Sequence, residues 1–241
     1  MNKSSEWSPG LWIQGIATPL SLSQYKLIAF DMDSTLINIE CIDEIADLAG
    51  RKKEVAAITE AAMRGDIADY KESLRQRVKL LKGVPQSALQ MVYNERLRLN
   101  PGADILLQAC KEAGLKMMLI SGGFSFFTDR LRDKLGIEFT RSNVLEIENG
   151  ILTGRMLEQP WGDVCDGEEK KRMLMQTCEA IGIGLNQSIA MGDGANDLPM
   201  MSVAGLSVAY RSKPIVRQAA NVSILEGGLD RLLEIFEPRS P

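Results

Sequence analysis

Residues Leu27 to Ile37 read Leu-Ile-Ala-Phe-Asp-Met-Asp-Ser-Thr-Leu-Ile, an apolar run that ends at two carboxylates. The four apolar residues at 27–30 are typical of a parallel strand that is covered on both faces. Asp31 and Asp33 point to the same side if the extended geometry continues that far. Because ligands of open α/β sheets bind beyond the carboxyl ends of the strands, we expect a site here, with the two acids as nucleophile, proton carrier or metal ligands. The alternative is a loop with two solvated acids.

The composition of the chain narrows its chemistry. Its 241 residues are 45% hydrophobic and 25% charged, which predicts a globular protein with one large domain or a core with an insertion. The sequence contains no histidine, which excludes Ser-His-Asp and Cys-His catalysis and histidine metal sites. Any hydrolytic chemistry must therefore use carboxylates, lysine, hydroxyls or a metal ion held by oxygen.

Charge and cysteine content bear on partners and location. The net charge of -4 gives no basic excess for a nucleic-acid partner, and no stretch is long enough to span a bilayer. The four cysteines show no CxxC spacing, so we interpret them as reduced thiols of a cytoplasmic protein.

Helical patterns fill one continuous part of the chain. Apolar positions at helical spacing recur over 42–49, over 55–62 with a stop at Gly65, over 70–81, and from Pro85 to about residue 98. Asn100-Pro101-Gly102 ends this segment. Beyond it, helical patterns alternate with predicted strands at 117–120, 144–147, 151–155, 188–191 and 206–209. Residues before 25 are predicted to form a tail or a short packed strand, with 11–16 as the ordered candidate.

These patterns predict the fold class and the domain boundaries. Strands that alternate with helices indicate an α/β fold with a Rossmann-like three-layer core, in which helices cover a parallel sheet. The helical segment that follows the first strand is interpreted as an inserted helical-bundle cap domain. The expected boundaries are a tail over 1–25, a core over 26–39 and 101–241, and a cap over 40–100.

Two further strand ends carry polar clusters, and a parallel sheet brings such ends together. Ser121-Gly122-Gly123 follows one strand, and a helix beginning there would aim free N–H groups at an anion. Asp193, Asn196 and Asp197 follow another strand. The simpler alternatives are a plain turn at the first cluster and a capped helix start at the second.

The residues at these strand ends suit a magnesium ion and a phosphate ester. The candidate ligands at these strand ends are all oxygen atoms, without histidine or paired thiolates. Mg²⁺ is coordinated by only a few protein oxygens, so this group of ligands suits it. A carboxylate that attacks a phosphate dianion faces a repulsion of about 4 kcal/mol per charge at ~4 Å. Lys170 or Lys171 could supply a cation that offsets it, unless both lysines belong to a solvated surface.

Together these segments resemble the haloacid dehalogenase superfamily. The likeness rests on Asp31-Met-Asp-Ser-Thr, Ser121-Gly-Gly-Phe, a helix with Lys170, and Gly192-Asp-Gly-Ala-Asn-Asp-Leu-Pro. More closely, the chain resembles the phosphoserine phosphatases of that superfamily over about residues 26–225. Within the predicted cap the likeness is carried by Glu40-Cys-Ile-Asp-Glu-Ile-Ala and Ser73-Leu-Arg-Gln-Arg-Val-Lys-Leu-Leu-Lys-Gly.

The resemblance implies roles for the acids. Asp31 resembles the nucleophile that forms an aspartyl-phosphate. Asp33 resembles the acid that protonates the leaving serine oxygen and then activates water. The metal would be held by the carboxylates of Asp31 and Asp193 and by the backbone carbonyl of Asp33, and Asp197 would support that set.

The resemblance also implies the residues that hold the substrate. Ser121, the Gly122 N–H, Lys170 and Asn196 would bind phosphate. Lys170 is preferred to Lys171 because it precedes Gly192 by 22 residues (192 − 170 = 22), which matches the family-like spacing. The family's cap holds the amino and carboxylate groups of the substrate through residues that match Glu40 and Arg77.

The implied function is Mg²⁺-dependent hydrolysis of O-phosphoserine, the last step of serine biosynthesis, by a monomer or homodimer acting on a small phosphomonoester. Two alternatives remain. A related cap-bearing enzyme would pass the phosphoryl group to another alcohol such as homoserine. A binding module would accept phosphate on Asp31 as a signalling receiver does, although a receiver needs no leaving-group acid at Asp33. Residues Trp161 to Asp166 depart from the family and are assigned no role.

Overall fold

A central β-sheet organises the protein. The computed structural model describes residues 4–64, 69–162 and 164–237. The strands within these ranges are β1 (Ser5–Ser8), β2 (Leu11–Ile13), β3 (Leu27–Phe30), β4 (Lys116–Phe124), β5 (Phe139–Glu148), β6 (Ile151–Leu157), β7 (Ser188–Gly192), β8 (Leu206–Tyr210) and β9 (Val222–Ile224). They form one sheet in the order β1-β2-β9-β8-β7-β3-β4-β5-β6.

The centre of the sheet is parallel and its two edges are antiparallel. β3 lies between β4 and β7 and is parallel to both. β5, β8 and β9 continue the parallel part outward. β2 and β1 complete one edge, and β6 completes the other. Parallel pairing places the carboxyl ends of β3, β4 and β7 side by side. The three polar clusters that the sequence located at strand ends therefore lie near one another.

The α-helices of the described ranges either cover a face of this sheet or lie in the segment between β3 and β4. They are α1 (Cys41–Leu48), α2 (Lys52–Arg64), α3 (Tyr70–Lys79), α4 (Gln86–Met91), α5 (Ala103–Glu112), α6 (Ser125–Leu135), α7 (Gly167–Ala180), α8 (Leu198–Met201) and α9 (Pro214–Ala219). α4 continues as a wider helical turn over Val92–Arg96, and a 3-10 helix covers Leu229–Ile235. Within the described ranges, no helix is long and apolar enough to cross a membrane.

The apolar run of β3 explains the three layers. Ile28 and Phe30 belong to the apolar core shared with α5, α6 and the 229–235 helix. Leu27 and Ala29 belong to the opposite core, with α7, α8 and α9. All four side chains are completely buried. Burying a large apolar side chain contributes roughly 1.5–3 kcal/mol to the free energy of unfolding. The buried side chains of β3 thereby help to offset the cost of keeping the adjacent Asp31 away from water.

The helices between β3 and β4 form a bundle joined to the sheet by two paired linkers. Val55, Leu74 and Leu89 are buried where these helices pack on one another. Residues 37 and 99 form an antiparallel bridge where the chain leaves and re-enters the core. The prediction of helices alone over 40–100 is confirmed for its described residues, and the predicted stop at Gly65 lies outside them.

The structure differs from the sequence predictions near both ends of the chain. The tail predicted over residues 1–25 is wrong for 5–8 and 11–13, which form β1 and β2, because Leu11 and Ile13 insert into the main core. The packed-strand alternative is confirmed over Leu11–Ile13. α9 and β9 were not predicted, since each is only a few residues long and Pro214 precedes a short apolar pattern.

Candidate active site

The first aspartate pair lies at the end of β3. The Asp31 N–H donates to the Met191 carbonyl at 2.9 Å, so pairing with β7 continues to the start of the acidic segment. Asp31 and Asp33 both have extended backbone angles, and the chain reverses at Ser34, whose φ is 57°. Both carboxylates therefore line the same cavity, as the sequence predicted.

Asn100 holds this reversal in place. Its side-chain amide is buried and donates to the Thr35 and Ile37 carbonyls at 2.8 and 3.0 Å. These carbonyls lie in the irregular turn that leads to α1, where ordinary helical pairing is absent, and a buried carbonyl without a partner would be costly. Asn100 thus links the exit from the helical segment to its entrance.

Lys170 joins two of the aspartates beneath the cavity. Its side chain is completely buried, with Nζ 2.5 Å from Asp31 Oδ1 and 2.7 Å from Asp197 Oδ1. Burial alone would lower the pKa of Lys170, but the two carboxylates raise it well above its ordinary value. The ammonium therefore stays charged, as a buried lysine does only when it is paired.

The acids around Lys170 outnumber their cation. Carboxylate oxygens of Asp31, Asp193 and Asp197 all lie within 4.8 Å of one another. Burial raises the pKa of Asp31 well above its ordinary range, and Asp197 and Asp193 raise it further against the opposing charge of Lys170. Burial and Asp197 raise the pKa of Asp193 to about 7. A hard cation with oxygen ligands fits this surplus of negative charge.

Asp197 has little capacity left for direct metal binding. Its Oδ1 accepts from Lys170, and its Oδ2 accepts the N–H groups of Asp193 and Gly194 at 3.1 and 3.0 Å. A Cβ on Gly192 would collide with the Asp197 carboxylate, which explains the glycine at the end of β7. Asp193 instead lines the cavity and accepts a hydrogen bond from Thr35 Oγ1 at 3.2 Å.

Asp33 has surroundings unlike those of Asp31. Its Oδ1 accepts the N–H of Cys41, the first residue of α1, at 3.2 Å. Burial, and after it the charge of Glu40, raise the pKa of Asp33 to about 8. At neutral pH this group carries a proton that it can donate.

Ser121, Gly122 and Gly123 were predicted to follow a strand, but they lie within the last residues of β4, where its pairing with β5 changes register. This end of β4 is crowded, which accounts for its two glycines. The buried Ser121 hydroxyl accepts the Gly123 N–H at 2.8 Å, and Asn143 donates to the Gly122 carbonyl at 2.7 Å. A Cβ on Gly123 would lie 2.7 Å from Asp33 Oδ2. Because no larger residue fits, the backbone can approach a ligand closely, and α6 begins directly afterwards at Ser125.

A cavity of about 660 Å³ joins the strand ends to the helical segment. Glu40 lies on one wall, where the Ser34 hydroxyl donates to its Oε1 at 2.6 Å and burial raises its pKa. Arg77 of α3 also lines the cavity. The cavity therefore presents a carboxylate and a guanidinium at its helical side and the acid cluster at its base.

Comparison with known proteins identifies the family. Residues 28–202 match the family described as haloacid dehalogenase-like hydrolase. The chain belongs to this family. Its acidic segment after β3, its Ser-Gly-Gly segment and its buried lysine all lie within the matched residues.

Several relatives within this hydrolase family share most of the chain. A phosphoserine phosphatase of Polaromonas sp. is 71% identical over 234 residues, which cover 97% of this chain and 99% of the relative. One of Albidiferax ferrireducens is 68% identical and covers 96% and 98% of the two chains. A solved structure described as a phospho-aspartyl intermediate analogue of phosphoserine phosphatase has a TM-score of 0.81 at 37% identity, covering 88% of this chain and 99% of that one.

The structure separates the ten site residues predicted for this hydrolase into two groups. Lys170 and Asp197 lie behind the aspartate pair and are held by each other. The remaining eight line the cavity, namely Asp31, Asp33, Glu40, Arg77, Ser121, Gly122, Asp193 and Asn196. The predicted residues thus come together, although the Lys170 ammonium contacts carboxylates instead of lining the cavity.

Sequence reasoning missed other residues of the cavity wall. Tyr70 and Ser73 of α3, Asp43 of α1 and Lys213 also line it. The helical period of α3 marked Tyr70 as inward-facing but could not show that it faces a cavity. No pattern marks Lys213, which reaches the site because its N–H donates to the Asp193 carbonyl at 3.2 Å.

The segment Trp161 to Asp166, assigned no role from sequence, positions α7 in its described residues. Asp166 caps that helix by accepting the Glu169 N–H at 2.9 Å. The Cys165 N–H donates to Asn143 Oδ1 at 2.8 Å, which joins the segment to the Ser-Gly-Gly end of β4 through one side chain. These bonds fix the helix that carries Lys170 relative to that end of β4.

Proposed function

We propose that this hydrolase is a Mg²⁺-dependent phosphoserine phosphatase that releases serine and phosphate from O-phosphoserine, the last step of serine biosynthesis. The observation that carries the proposal is a single cavity lined by opposed groups. Asp31 and Ser121 lie at its base, and Glu40 and Arg77 lie at its helical side. A small zwitterionic phosphate ester would place its phosphoryl group between Asp31 and Ser121. Its ammonium and carboxylate groups would then meet Glu40 and Arg77.

A divalent cation completes the base of this cavity in the proposed enzyme. The surplus of carboxylates over ammonium groups in the acid cluster favours a hard cation, and we assign Mg²⁺. Asp31, Asp193 and the backbone carbonyl of Asp33 would hold it, and Asp197 would orient the Asp193 backbone. When bound, the ion supplies positive charge that offsets the repulsion between carboxylate and phosphate.

The first step transfers the phosphoryl group to Asp31. A carboxylate oxygen of Asp31 forms a bond to phosphorus while the bond from phosphorus to the serine oxygen breaks. Lys170 orients Asp31 and opposes the rise in its pKa that burial causes, and Ser121 with the Gly122 N–H holds the phosphoryl oxygens. Asn196 contributes from the turn after β7. These donors are needed because the Asp31 carboxylate and the phosphate repel each other by about 4 kcal/mol per charge at ~4 Å.

Asp33 donates a proton in the first step of the proposed reaction and accepts one in the second. Its pKa of about 8 leaves it protonated at neutral pH, so it donates a proton to the departing serine oxygen. The resulting carboxylate then removes a proton from the water that attacks the aspartyl-phosphate. Hydrolysis regenerates free Asp31 and protonated Asp33, and no other group changes its proton count.

Glu40 and Arg77 confer specificity for the serine portion. The Ser34 hydroxyl fixes the Glu40 carboxylate, which accepts hydrogen bonds from the substrate ammonium. Arg77 binds the substrate carboxylate bidentately. We assign residues 40–100 to a cap domain that encloses the substrate, and 26–39 with 101–241 to the core. Enclosure keeps bulk water from the reacting phosphate.

The cytoplasm is the proposed location. The four cysteines are buried and free of disulfides, which suits a reducing compartment. A small amino-acid phosphate is the proposed partner.

A substrate panel tests this function. Serine and phosphate release are measured from phosphoserine, phosphothreonine and p-nitrophenyl phosphate with Mg²⁺, with and without homoserine as an acceptor. We expect the highest kcat/KM on phosphoserine, with phosphate release equal to serine release at every homoserine concentration. Equal kcat/KM on all esters, or accumulation of phosphohomoserine, would contradict the proposal.

A further inference from the structure

Tyr70 reaches from the helical segment to the carboxyl end of β4. It is the first residue of α3, whose preceding residue Asp69 caps the helix by accepting the Lys71 N–H at 3.0 Å. The Lys71 ammonium lies 3.6 Å from Asp166 Oδ2, at the beginning of α7. The start of α3 is therefore attached to the same core helix that carries Lys170.

The Tyr70 hydroxyl lies directly over Gly122. A Cβ on Gly122 would collide with the hydroxyl oxygen and would lie 3.4 Å from Cζ of the ring. Both residues line the cavity together with Asp31 and Ser121. The phenol thus faces the position where this end of β4 would hold a phosphoryl group.

The Tyr70 hydroxyl brings a polar group to the cavity. Across the described ranges no hydrogen bond to the Tyr70 hydroxyl is present, although Lys170, Arg77 and Asp31 are close enough to affect it electrostatically. A phenylalanine would fill the same ring volume without bringing an unpaired hydroxyl to a polar cavity. Burial raises the pKa of Tyr70 to about 12, so the phenol retains its proton and can donate it in a hydrogen bond.

We propose that the Tyr70 hydroxyl donates a hydrogen bond to an oxygen of the transferring phosphoryl group and is a further catalytic residue. Ser121 and Gly122 approach the phosphoryl group from the sheet, and Tyr70 approaches it from α3. Phosphoryl binding thereby gives the hydroxyl its partner, and the Lys71–Asp166 ion pair holds α3 where the contact forms. This role rests on the proposed function only in requiring a phosphomonoester as substrate.

The test compares Tyr70→Phe with Tyr93→Phe in the full chain with Mg²⁺. Tyr93 lies in the same helical segment, packs against the apolar core and does not line the cavity, so it is a matched control. The kcat/KM values for phosphoserine and p-nitrophenyl phosphate are measured with the inhibition constant of inorganic phosphate. Losing a hydrogen bond to a charged group should lower both kcat/KM values by roughly ten- to a hundredfold and weaken phosphate inhibition.

The pattern across ligands distinguishes the outcomes. An equal loss on both esters, weaker phosphate inhibition and an unchanged Tyr93→Phe variant would support the phosphoryl contact. A change below about twofold on both esters would overturn it, since a packing role needs only the ring. A loss confined to phosphoserine would also overturn it by assigning the hydroxyl to the serine portion. The loss of kcat/KM on p-nitrophenyl phosphate measures the Tyr70 contact whatever the natural ester is. The preference of the wild-type enzyme for phosphoserine tests the proposed function separately.

Discussion

Asp31 and Asp33 are separated by one residue, and their surroundings give them different chemistry. Asp31 contacts the Lys170 ammonium at 2.5 Å, whereas the neighbours of Asp33 are the Cys41 N–H and the acidic Glu40. Burial raises the pKa of both carboxyls, but the Lys170 ammonium opposes the rise at Asp31, whereas the charge of Glu40 adds to it at Asp33. Sequence spacing predicted that both acids share one side, but only the folded environment separates their roles.

The Asp33 proton leads to a pH prediction. Above a pKa of about 8, Asp33 is ionised and cannot protonate the serine oxygen. Single-turnover phosphoenzyme formation from phosphoserine should fall by about tenfold per pH unit in that range. p-Nitrophenolate leaves without a proton, so the same step with p-nitrophenyl phosphate should lack this fall. Identical pH profiles for the two esters would remove Asp33 from the acid role.

Arg77 provides a test of substrate specificity. Arg77→Ala should raise KM for phosphoserine and lower kcat/KM by roughly ten- to a hundredfold, because a bidentate contact to the carboxylate is lost. p-Nitrophenyl phosphate has no carboxylate and should be almost unaffected. Arg75→Ala changes an exposed arginine of the same helix that does not line the cavity, and serves as the control. Equal losses on both esters would mean that Arg77 supports the fold or the phosphate.

At the level of elements, periodicity predicted long and buried segments better than short ones. β3 and β7 were recognised because continuous apolar runs mark strands covered on both faces. β1 and β9 were missed because three or four residues give no measurable period, and only pairing with neighbours makes them strands. The strands predicted at 144–147 and 151–155 are confirmed within β5 and β6, which pair as a hairpin because Asn149 and Gly150 both adopt the positive φ that a tight turn needs.

The start of α7 is the element whose stability is most easily tested. Asp166→Ala removes the cap on that helix and the ion pair with Lys71. It should lower the free energy of unfolding by about 0.5–2 kcal/mol in denaturant titrations. Glu158→Ala changes an exposed acid outside any helix and should alter the free energy by less than ~0.5 kcal/mol. Equal stability of the two variants would show that the cap does not support α7.

Across the whole molecule, the site forms from residues far apart in sequence. Lys170 and Asp31 are 139 residues apart, and Thr35 and Asp193 are 158 apart. The sequence predicted that Asp31 and Asp193 come together because they follow parallel strands, and the family resemblance added Lys170 from a helix. It could not predict that Tyr70 of α3 and Lys213 beside α9 also line the cavity, since that depends on how the elements pack in three dimensions.

The acid cluster predicts how metal and pH together affect stability. The folded state raises the pKa of Asp193 from an ordinary value of 3.8 to about 7. A raised carboxyl pKa stabilises the fold below the ordinary value, and that stabilisation is lost as the pH rises through about 7. Activity should disappear with a chelator and return with Mg²⁺, and Mg²⁺ should raise Tm more at about pH 8 than at about pH 6. An Asp193→Asn variant is the control, and an equal rise in Tm at both pH values would contradict the site.

The central claim is that catalysis passes through a phosphoryl group on Asp31. Its most direct test is a rapid-quench reaction of radiolabelled phosphoserine with the wild-type enzyme and with Asp31→Asn in Mg²⁺, followed by peptide mapping. We expect label on the peptide that contains Asp31, rising before phosphate is released and decaying with it, and no label on the variant, because an amide is a poor nucleophile. Wild-type turnover without covalent label, or equal labelling of Asp31→Asn, would contradict the mechanism.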